Sequence, residues 1–551
     1  MARPRRQLAD PWYYLHNFER VLAALDARYA ALWSGEERRF LADFAALPRA
    51  ARAVLVRMVV RSGDLFRAGD LVYAEIGATA AALEPLLALG WVVAAGALPA
   101  RRLIPVFTKD ELLCYFAGPG ASRRASKPAL AAVLLAQHVG AVSLAPWSRA
   151  TGEVLYELRV RALCDQLRAM YFGNFHQDWS EFVLTELGVL TYESVPTPLQ
   201  AAAFRTRAEV ETFRQLQRCV QGLAEEREPA ELEAAMPPPV LDCDWLEELR
   251  QEILCRIGRY HEQRGDPAAA LRCYTQCRHR GARIRAARLH ERARDWESAR
   301  RVCLAALGSP DSAAERHDAQ KILARVARKL KIPAAFAAPP AAPVPSFDLV
   351  AEPPAPAYAV EYYARDRLLA ESGGEVVVRY VENSLVTSLF GLLCWRAIFE
   401  PIAGAFFHDF QAAPADLASS RFYERRRSSF EACFAQLETG EYVETIRRCY
   451  AVKAGIQSPF VAWRAVSKRL LELALTCFPA AHLRLWFEWI VADVRANCAG
   501  FPDLVQFWPR ERRYRLIEVK GPGDRLQDNQ RRLLQFCALH RMPVAVCYVR
   551  V

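Results

Sequence analysis

Asp503, Glu518 and Lys520 stand in the run "GFPDLVQFWPRERRYRLIEVKGPGDRLQDNQ", Gly500 to Gln530. The residues on either side alternate as two short strands, "DLVQFW" and "YRLIEVK", joined by a charged turn. On a strand, residues two apart share a face. Glu518 and Lys520 therefore project together, with Val519 on the other side. If the two strands pair, Asp503 comes up to Glu518. Two carboxylates and an amine on one face could hold a divalent cation and position a water beside it.

The spacing P-D-x14-E-x-K matches the PD-(D/E)-x-K nuclease pattern. A hard cation such as Mg²⁺ needs oxygen ligands and keeps several waters. Asp503, Glu518 and the main-chain carbonyl of Val519 would supply the protein ligands for Mg²⁺ or Mn²⁺. Glu382 opens the helix-like run "ENSLVTSLFGLLCWRAIF" and would reach in as a third carboxylate. Lys520 would orient or help deprotonate the attacking water and stabilise charge on the phosphorus centre. After the hairpin come a basic helix, "DRLQDNQRRLLQFCALH", and a terminal strand, "PVAVCYV". Helix, two strands, helix and strand make an α/β layout with a small mixed sheet.

The rest of the chain must carry and present this site. Its 551 residues exceed one typical core, which favours three or four domains. A hydrophobic share of 52% and a charged share of 25% fit a globular chain rather than a disordered one. The net charge of +11 suits nucleic acid or an anionic membrane, although surplus surface arginine alone would also produce it. No apolar run reaches membrane-spanning length and no signal peptide is visible, so no membrane partner is expected. Fifteen cysteines are scattered without a C-x-x-C pair, which points to reduced thiols rather than a zinc finger or disulfide framework.

From Trp12 to about Leu98 the apolar spacing is helical, with a short-helix or wing-like turn at "GDLFRAGDLVYAEI". Phe107 to Leu135 reads as helix, turn, helix. The turn ends in "SRRASK", so Arg123, Arg124 and Lys127 lie where a helix N-terminus and basic side chains could meet phosphate. This hairpin resembles a SAP motif. Further on, "GRYHEQRGDPAAALRCYTQC" and "ARLHERARDWESARRVCLAA" align at a shift of 29 residues, as two degenerate tetratricopeptide-like hairpins. Gly258, Gly265, Ala270 and Tyr274 fall where such helix pairs pack closely. Pro333 to Ala357 is rich in Pro and Ala and reads as an extended connector.

The expected boundaries are 1–100 for an N-terminal helical/winged-helix region and 101–235 for a SAP-like motif with further helices. Tetratricopeptide-like repeats follow at 236–332, a linker at 333–359 and an α/β nuclease domain at 360–551. The fold class is thus multidomain α plus α/β.

The C-terminal run resembles the virus-type replication-repair nuclease (VRR-NUC) domain. On that resemblance Gln530 falls at the family's glutamine on the following helix. "VENSLVTSLFGLLCW" resembles the helix bearing the first metal-binding glutamate, a role that passes to Glu382. Arg495 lies where related proteins carry a basic residue near the site. "YFGNFHQDWSEFVLTELGVLTYESVP" and "WYYLHNFERVL" resemble the Fanconi-associated nuclease, whose four modules recur here in order. The departure is at the front, where neither a ubiquitin-binding zinc finger nor a long extension is seen, as in a compact bacterial type. The resemblance implies a metal-dependent nuclease for branched or flapped duplex DNA, with 5′-flap and 5′-to-3′ exonuclease action in interstrand crosslink repair. It implies a cytoplasmic, nucleoid-associated place of action. The oligomeric state is left open.

Other residues divide between chemistry and packing. His176, His261 and His290 read as structural. Arg425, Arg426 and Arg427 read equally as a phosphate contact or a solvated turn. Trp508 and Tyr514 could stack on a base, with strand packing the alternative. A competing class is a branched-DNA-binding protein or repeat scaffold with a degenerate nuclease domain. The intact Glu382, Asp503, Glu518 and Lys520 argue against it.

Overall fold

The computed structural model describes residues 10–117, 124–138, 140–179, 181–182, 190–196, 202–279, 281–333, 342–351, 359–372, 374, 376–402 and 404–550. The chain divides into two compact units, Met1–Val189 and Leu190–Val551.

In the first unit, helix Tyr13–Tyr29 buries Tyr14, Phe18, Val21, Leu25 and Tyr29, a stripe at three- and four-residue spacing. The next helix, Gly35–Ala46, starts on a reciprocal capping box between Ser34 and Glu37. Helix Arg49–Val60 buries Val54, Leu55 and Met58. Strands β1 (Leu65–Arg67) and β2 (Val92–Ala94) are followed by β3 (Ala97–Pro99), β4 (Ala141–Ser143) and β5 (Leu155–Leu158). β5 lies between β1 and β2 in an antiparallel sheet. That sheet reaches across the boundary expected at 100/101, because its central strand comes from residues beyond the helical hairpin. β3 pairs with β4 and closes the base of the hairpin. Thr108 and Glu111 cap the hairpin's first helix, and Ser126 caps the second, Lys127–Gln137. Lys127 opens that helix and Arg124 is exposed just before it, whereas Arg123 lies outside the described residues.

In the second unit, the internal repeat forms two helical hairpins, Asp244–Gln263 with Pro267–Gln276 and Ala282–Arg292 with Trp296–Gly308. The matched Asp266 and Asp295 each cap the second helix of their pair. The turn before each cap needs a left-handed residue, Gly265 at φ 81° in one repeat and Arg294 at φ 59° in the other. A Cβ on Gly258 would stand 2.7 Å from the Tyr274 ring, so the absent side chain permits the close packing expected there. Helix Ala313–Leu330 covers the second hairpin through Ala319, Ile322 and Val326.

The C-terminal sheet has five strands. β6 (Ser346–Val350), β7 (Val377–Tyr380), β8 (Leu504–Trp508), β9 (Arg513–Lys520) and β10 (Val544–Arg550) are ordered β6-β10-β9-β8-β7. β10 runs parallel to β6 and β9, and the other pairs are antiparallel. The expected linker at 333–359 is corrected by β6, which forms the sheet edge from "SFDLV" inside the Pro- and Ala-rich run. One sheet face buries Leu504, Ile517 and Val519 against Ala364 and Leu368 of helix Val360–Glu371. The other face buries Val505, Phe507, Tyr514 and Leu516 against helices Leu385–Leu393, Ala480–Ala492 and Asp528–Leu539. The domain is therefore a mixed sheet between helical layers.

Among the described residues no single helix is long and apolar enough to cross a membrane. The apolar pair Lys468–Cys477 and Ala480–Ala492 bends by 110° and buries Leu471, Trp486 and Phe487 in this core.

Candidate active site

The β8–β9 register pairs Leu504 with Ile517, and one step further sets Asp503 opposite Glu518. Both carboxylates share the face of Val505, Tyr514 and Leu516, at the end where the sheet meets its helical layer. Glu518 is fully buried and Asp503 is 7% exposed. Lys520 projects from the same face, with Nζ 2.8 Å from Glu518 Oε1. The second Glu518 oxygen, Oε2, is buried without a hydrogen-bond partner. Asp503 accepts a hydrogen bond from the Val519 amide at 2.8 Å.

That bond fixes the direction of the Val519 main chain. In an antiparallel ladder a residue turns its N–H and C=O toward the same neighbour. Val519 thus turns both toward the β8 side, where the register would set Pro502 opposite it. Proline has no N–H to donate. The proline of the P-D pair so withholds the ladder partner that the Val519 carbonyl would otherwise have.

Burial raises the Asp503 carboxyl from 3.8 to about 6; the Val519 amide opposes the rise and the Glu382 charge adds to it. Glu518 rises from 4.5 to about 7, first through burial and then through the Asp503 charge, with Lys520 opposing. Both shifts come from burying Asp503 and Glu518 side by side, with the exposed Glu382 adding its charge.

Glu382 lies in the turn after β7, and the helix begins only at Leu385. The expectation that Glu382 opens the helix is corrected by Asn383, whose φ of 48° breaks the helical path. Asn383 Oδ1 accepts from the amides of Gly500 and Phe501 at 2.7 and 2.9 Å. It thereby ties the Glu382 turn to the loop that delivers Asp503. The Val381 amide donates to the Asp503 carbonyl at 2.8 Å and closes the same junction. Tyr380 donates its phenol to Glu382, and burial together with that carboxylate raises the phenol's pKa. Glu361, in the first turn of helix Val360–Glu371, adds a further negative charge felt by Asp503 and Tyr380. Sequence reasoning passed over Asn383, Tyr380 and Glu361. An Asn in the turn three residues beyond β7 was the one local signal for the first of them.

Gln530 is the third residue of helix Asp528–Leu539, and its Oε1 accepts from the Gln527 amide at 2.9 Å in a capping box. Gly500, at φ 98°, brings the Asp503 loop against this helix start, where a Cβ would come within 2.9 Å of the Asn529 carbonyl carbon. Arg495 is exposed, and its guanidinium lies 3.5 Å from His279. Arg426 is buried and fork-bonded to Asp416, with Arg425 on the same carboxylate and Arg427 paired to Glu424. Tyr514 is buried against Phe478 and hydrogen-bonds His482, while Arg513 covers the half-buried Trp508 ring at 4.1 Å. His176 is exposed in a turn whose amides are held by Asn174.

The set fits a divalent cation by its chemistry. Asp503, Glu518 and Glu382 offer hard oxygens, Glu518 Oε2 has nothing bonded to it, and the local charge is negative in excess of the one ammonium.

Residues 437–551 match the VRR-NUC domain family model, and residues 12–93 match the model "FAN1, HTH domain". Glu382 thus lies ahead of the matched nuclease segment. The chain is 49% identical over 545 residues to a Fanconi-associated nuclease 1 homolog of Pseudomonas aeruginosa, covering 98% of this chain and 96% of that one. A homolog of the same name from Arabidopsis thaliana is 31% identical over 196 residues, 35% of this chain and 21% of that one. The crystal structure of paFAN1 bound to 5′-flap DNA with a 2-nucleotide flap and a gap matches with a TM-score of 0.91 at 48% identity. It covers 100% of this chain and 99% of that chain. A nuclease of VRR-NUC type depends on a divalent metal, which agrees with the buried oxygens gathered at the end of β9. The chain belongs to the Fanconi-associated nuclease family and is a structure-specific DNA nuclease that hydrolyses phosphodiester bonds.

Proposed function

We propose that this chain cuts 5′-flapped and related branched duplexes at the Asp503–Glu518–Lys520 site, using Mg²⁺ or Mn²⁺. The observation that carries the site is the fully buried Glu518 set opposite Asp503 with one oxygen unbonded. The substrate reading draws support from the relative crystallised with 5′-flap DNA.

In this reading Asp503, Glu518, the Val519 carbonyl and Glu382 would hold the cation. The chemistry a bound divalent cation supplies is charge stabilisation at the phosphate and a more acidic water. Lys520, its ammonium paired with Glu518, would orient the attacking water and place positive charge near the scissile phosphate. Gln530 assists from the adjoining helix start. Asn383 and Val381 keep the Glu382 turn and the Asp503 loop in one frame. Arg123, Arg124, Lys127 and Arg495 contact the DNA backbone. The modules ahead of the sheet serve as the platform: a winged-helix region, a SAP-like hairpin closed by β3 and β4, and tetratricopeptide-like hairpins. The biological setting is interstrand crosslink repair.

The test is cleavage of end-labelled 5′-flap, 3′-flap and nicked duplexes of one sequence with Mg²⁺, Mn²⁺ or EDTA. Metal-dependent cutting of 5′ flaps well ahead of 3′ flaps is expected. Equal rates on the two flaps would remove the substrate reading, and undiminished cutting in EDTA would remove the metal reading.

A further inference from the structure

A second group of metal-ligand side chains lies in the first helical hairpin, apart from the carboxylates of the sheet. Glu233 on helix Pro229–Ala234, His261 on helix Asp244–Gln263 and Cys273 on helix Pro267–Gln276 present their ligand atoms within 4.8 Å of one another. Cys273 is fully buried and His261 is 3% exposed. His261 Nε2 stands 3.3 Å from Glu233 Oε2, yet this buried nitrogen makes no hydrogen bond. A buried imidazole nitrogen that meets a carboxylate only outside hydrogen-bond geometry is left under-satisfied unless something else meets it. The other charged group at the cluster is Arg272, whose guanidinium is 3.4 Å from the same Glu233 oxygen and 59% exposed, free to swing outward.

We propose that Glu233, His261 and Cys273 form a Zn²⁺ site that fastens helix Pro229–Ala234 onto the first hairpin. One thiolate, one imidazole and one carboxylate make a borderline-soft donor set, which favours Zn²⁺ over the hard Mg²⁺ of the oxygen site. Three protein ligands leave a fourth position for water. The second hairpin supplies an internal control. His261 corresponds there to His290, which pairs instead with Asp295 at 3.1 Å, and Cys273 corresponds to Val302. The repeat by itself therefore does not generate the cluster. The three residues occur together only where a preceding helix brings in Glu233. Binding would exchange the Cys273 thiol proton for the metal, so occupancy would rise with pH.

The experiment uses the full-length protein, stripped with a chelator and then reloaded with Zn²⁺ or Co²⁺ under excess Mg²⁺, which occupies the oxygen site. About one Zn²⁺ per chain is expected to survive desalting, and the Co²⁺ form should show a thiolate-to-cobalt charge-transfer band. Cys273→Ser and His261→Gln should each lose the retained Zn²⁺, and Cys273→Ser should lose the band. Zn²⁺ should also slow alkylation of Cys273 in the wild-type chain by at least about tenfold, read by peptide mass, which needs no variant to fold. Absence of retained Zn²⁺, a band that persists in Cys273→Ser, or unprotected Cys273 alkylation would each overturn the assignment.

Discussion

Asp416 and Glu518 are both buried carboxylates of the C-terminal domain, and they differ in what meets their charge. Asp416 faces Arg426 in a fork, with bonds of 2.8 and 2.9 Å, and takes a further bond from Arg425 at 2.6 Å. Its lone pairs are spent on guanidinium groups that no other partner could replace without moving the chain. Glu518 meets Lys520 on one side and the negative charges of Asp503 and Glu382 on the other, and burial holds it near pH 7. In the first arrangement both oxygens of the carboxylate are met by guanidinium groups. The second keeps ligand capacity and surplus negative charge in reserve, which a dication balances. Buried charge by itself therefore says little about function; the unspent lone pair is the discriminating feature.

The largest expected effect separates the two sites by what each substitution removes. Asp503→Ala, Glu518→Ala and Lys520→Ala should each lower flap cleavage by on the order of 10³-fold or more while binding to DNA persists. On the proposed platform reading most phosphate contacts would lie elsewhere, so a gel-shift midpoint should hardly move. Wild-type turnover in any of the three would remove that residue from the chemistry. Asp416→Ala should do the reverse. It leaves Arg426 buried and unpaired, at a cost of roughly 3–5 kcal/mol in unfolding free energy. Cleavage by the folded fraction should stay near normal at low temperature. A small loss of stability would place Asp416 among the solvated ion pairs instead.

A smaller effect comes from titration. Asp503 and Glu518 have folded pKa values raised to about 6 and about 7 by burial, above their ordinary 3.8 and 4.5. Between about pH 4 and pH 7 the folded state then holds more protons than the unfolded one, so metal-free stability falls as pH rises through that window. The full loss is on the order of 3 kcal/mol per carboxylate. Glu518→Gln should cancel its share, so that in EDTA at pH 8 the variant is the more stable protein, by chemical denaturation. A variant less stable than wild type at pH 8 would mean that Lys520 pays back the burial of Glu518. With Mg²⁺ present the slope should flatten, because the cation competes with those protons.

Much of this contrast was legible in the sequence, and the reasons for the gaps are physical. Strand alternation puts Glu518 and Lys520 on one face, because period-two geometry leaves little choice, whereas Asp503 comes opposite Glu518 only through the pairing of the two strands, which the sequence left conditional. The repeat register likewise aligns Asp266 with Asp295, although only the structure shows that both cap helices. β6 escaped because five residues among prolines carry no periodicity, and its pairing with β10 is made by residues some 200 positions away in sequence. Asp416 and Arg426 escaped because an Arg-rich turn looks the same whether it is solvated or folded inward. The Glu233, His261 and Cys273 group escaped because its members come from three helices, with no motif spacing to signal them.

The smallest expected effect concerns Asn383, a residue of the active-site turn that belongs energetically with Asp416. Its Oδ1 is fully used, accepting from Gly500 and Phe501. It should therefore act as a positioning residue and not as a ligand. Asn383→Ala removes the acceptor from two main-chain amides and also sets a Cβ-bearing residue without a polar side chain at φ 48°. The first loss costs roughly 1–2 kcal/mol, and the second adds about 1 kcal/mol. Asn383→Gly separates them, since glycine adopts this φ freely but offers no acceptor. If the amide bonds hold the Asp503 loop in register with Glu382, the Gly variant should regain stability over Ala yet cleave as poorly, about tenfold below wild type. Its metal requirement should rise, because the carboxylates would be aligned for only part of the time. A Gly variant that cleaves like wild type would show that the turn's backbone shape suffices. The Gly500 loop would then be held by its packing against the Asn529–Gln530 backbone alone.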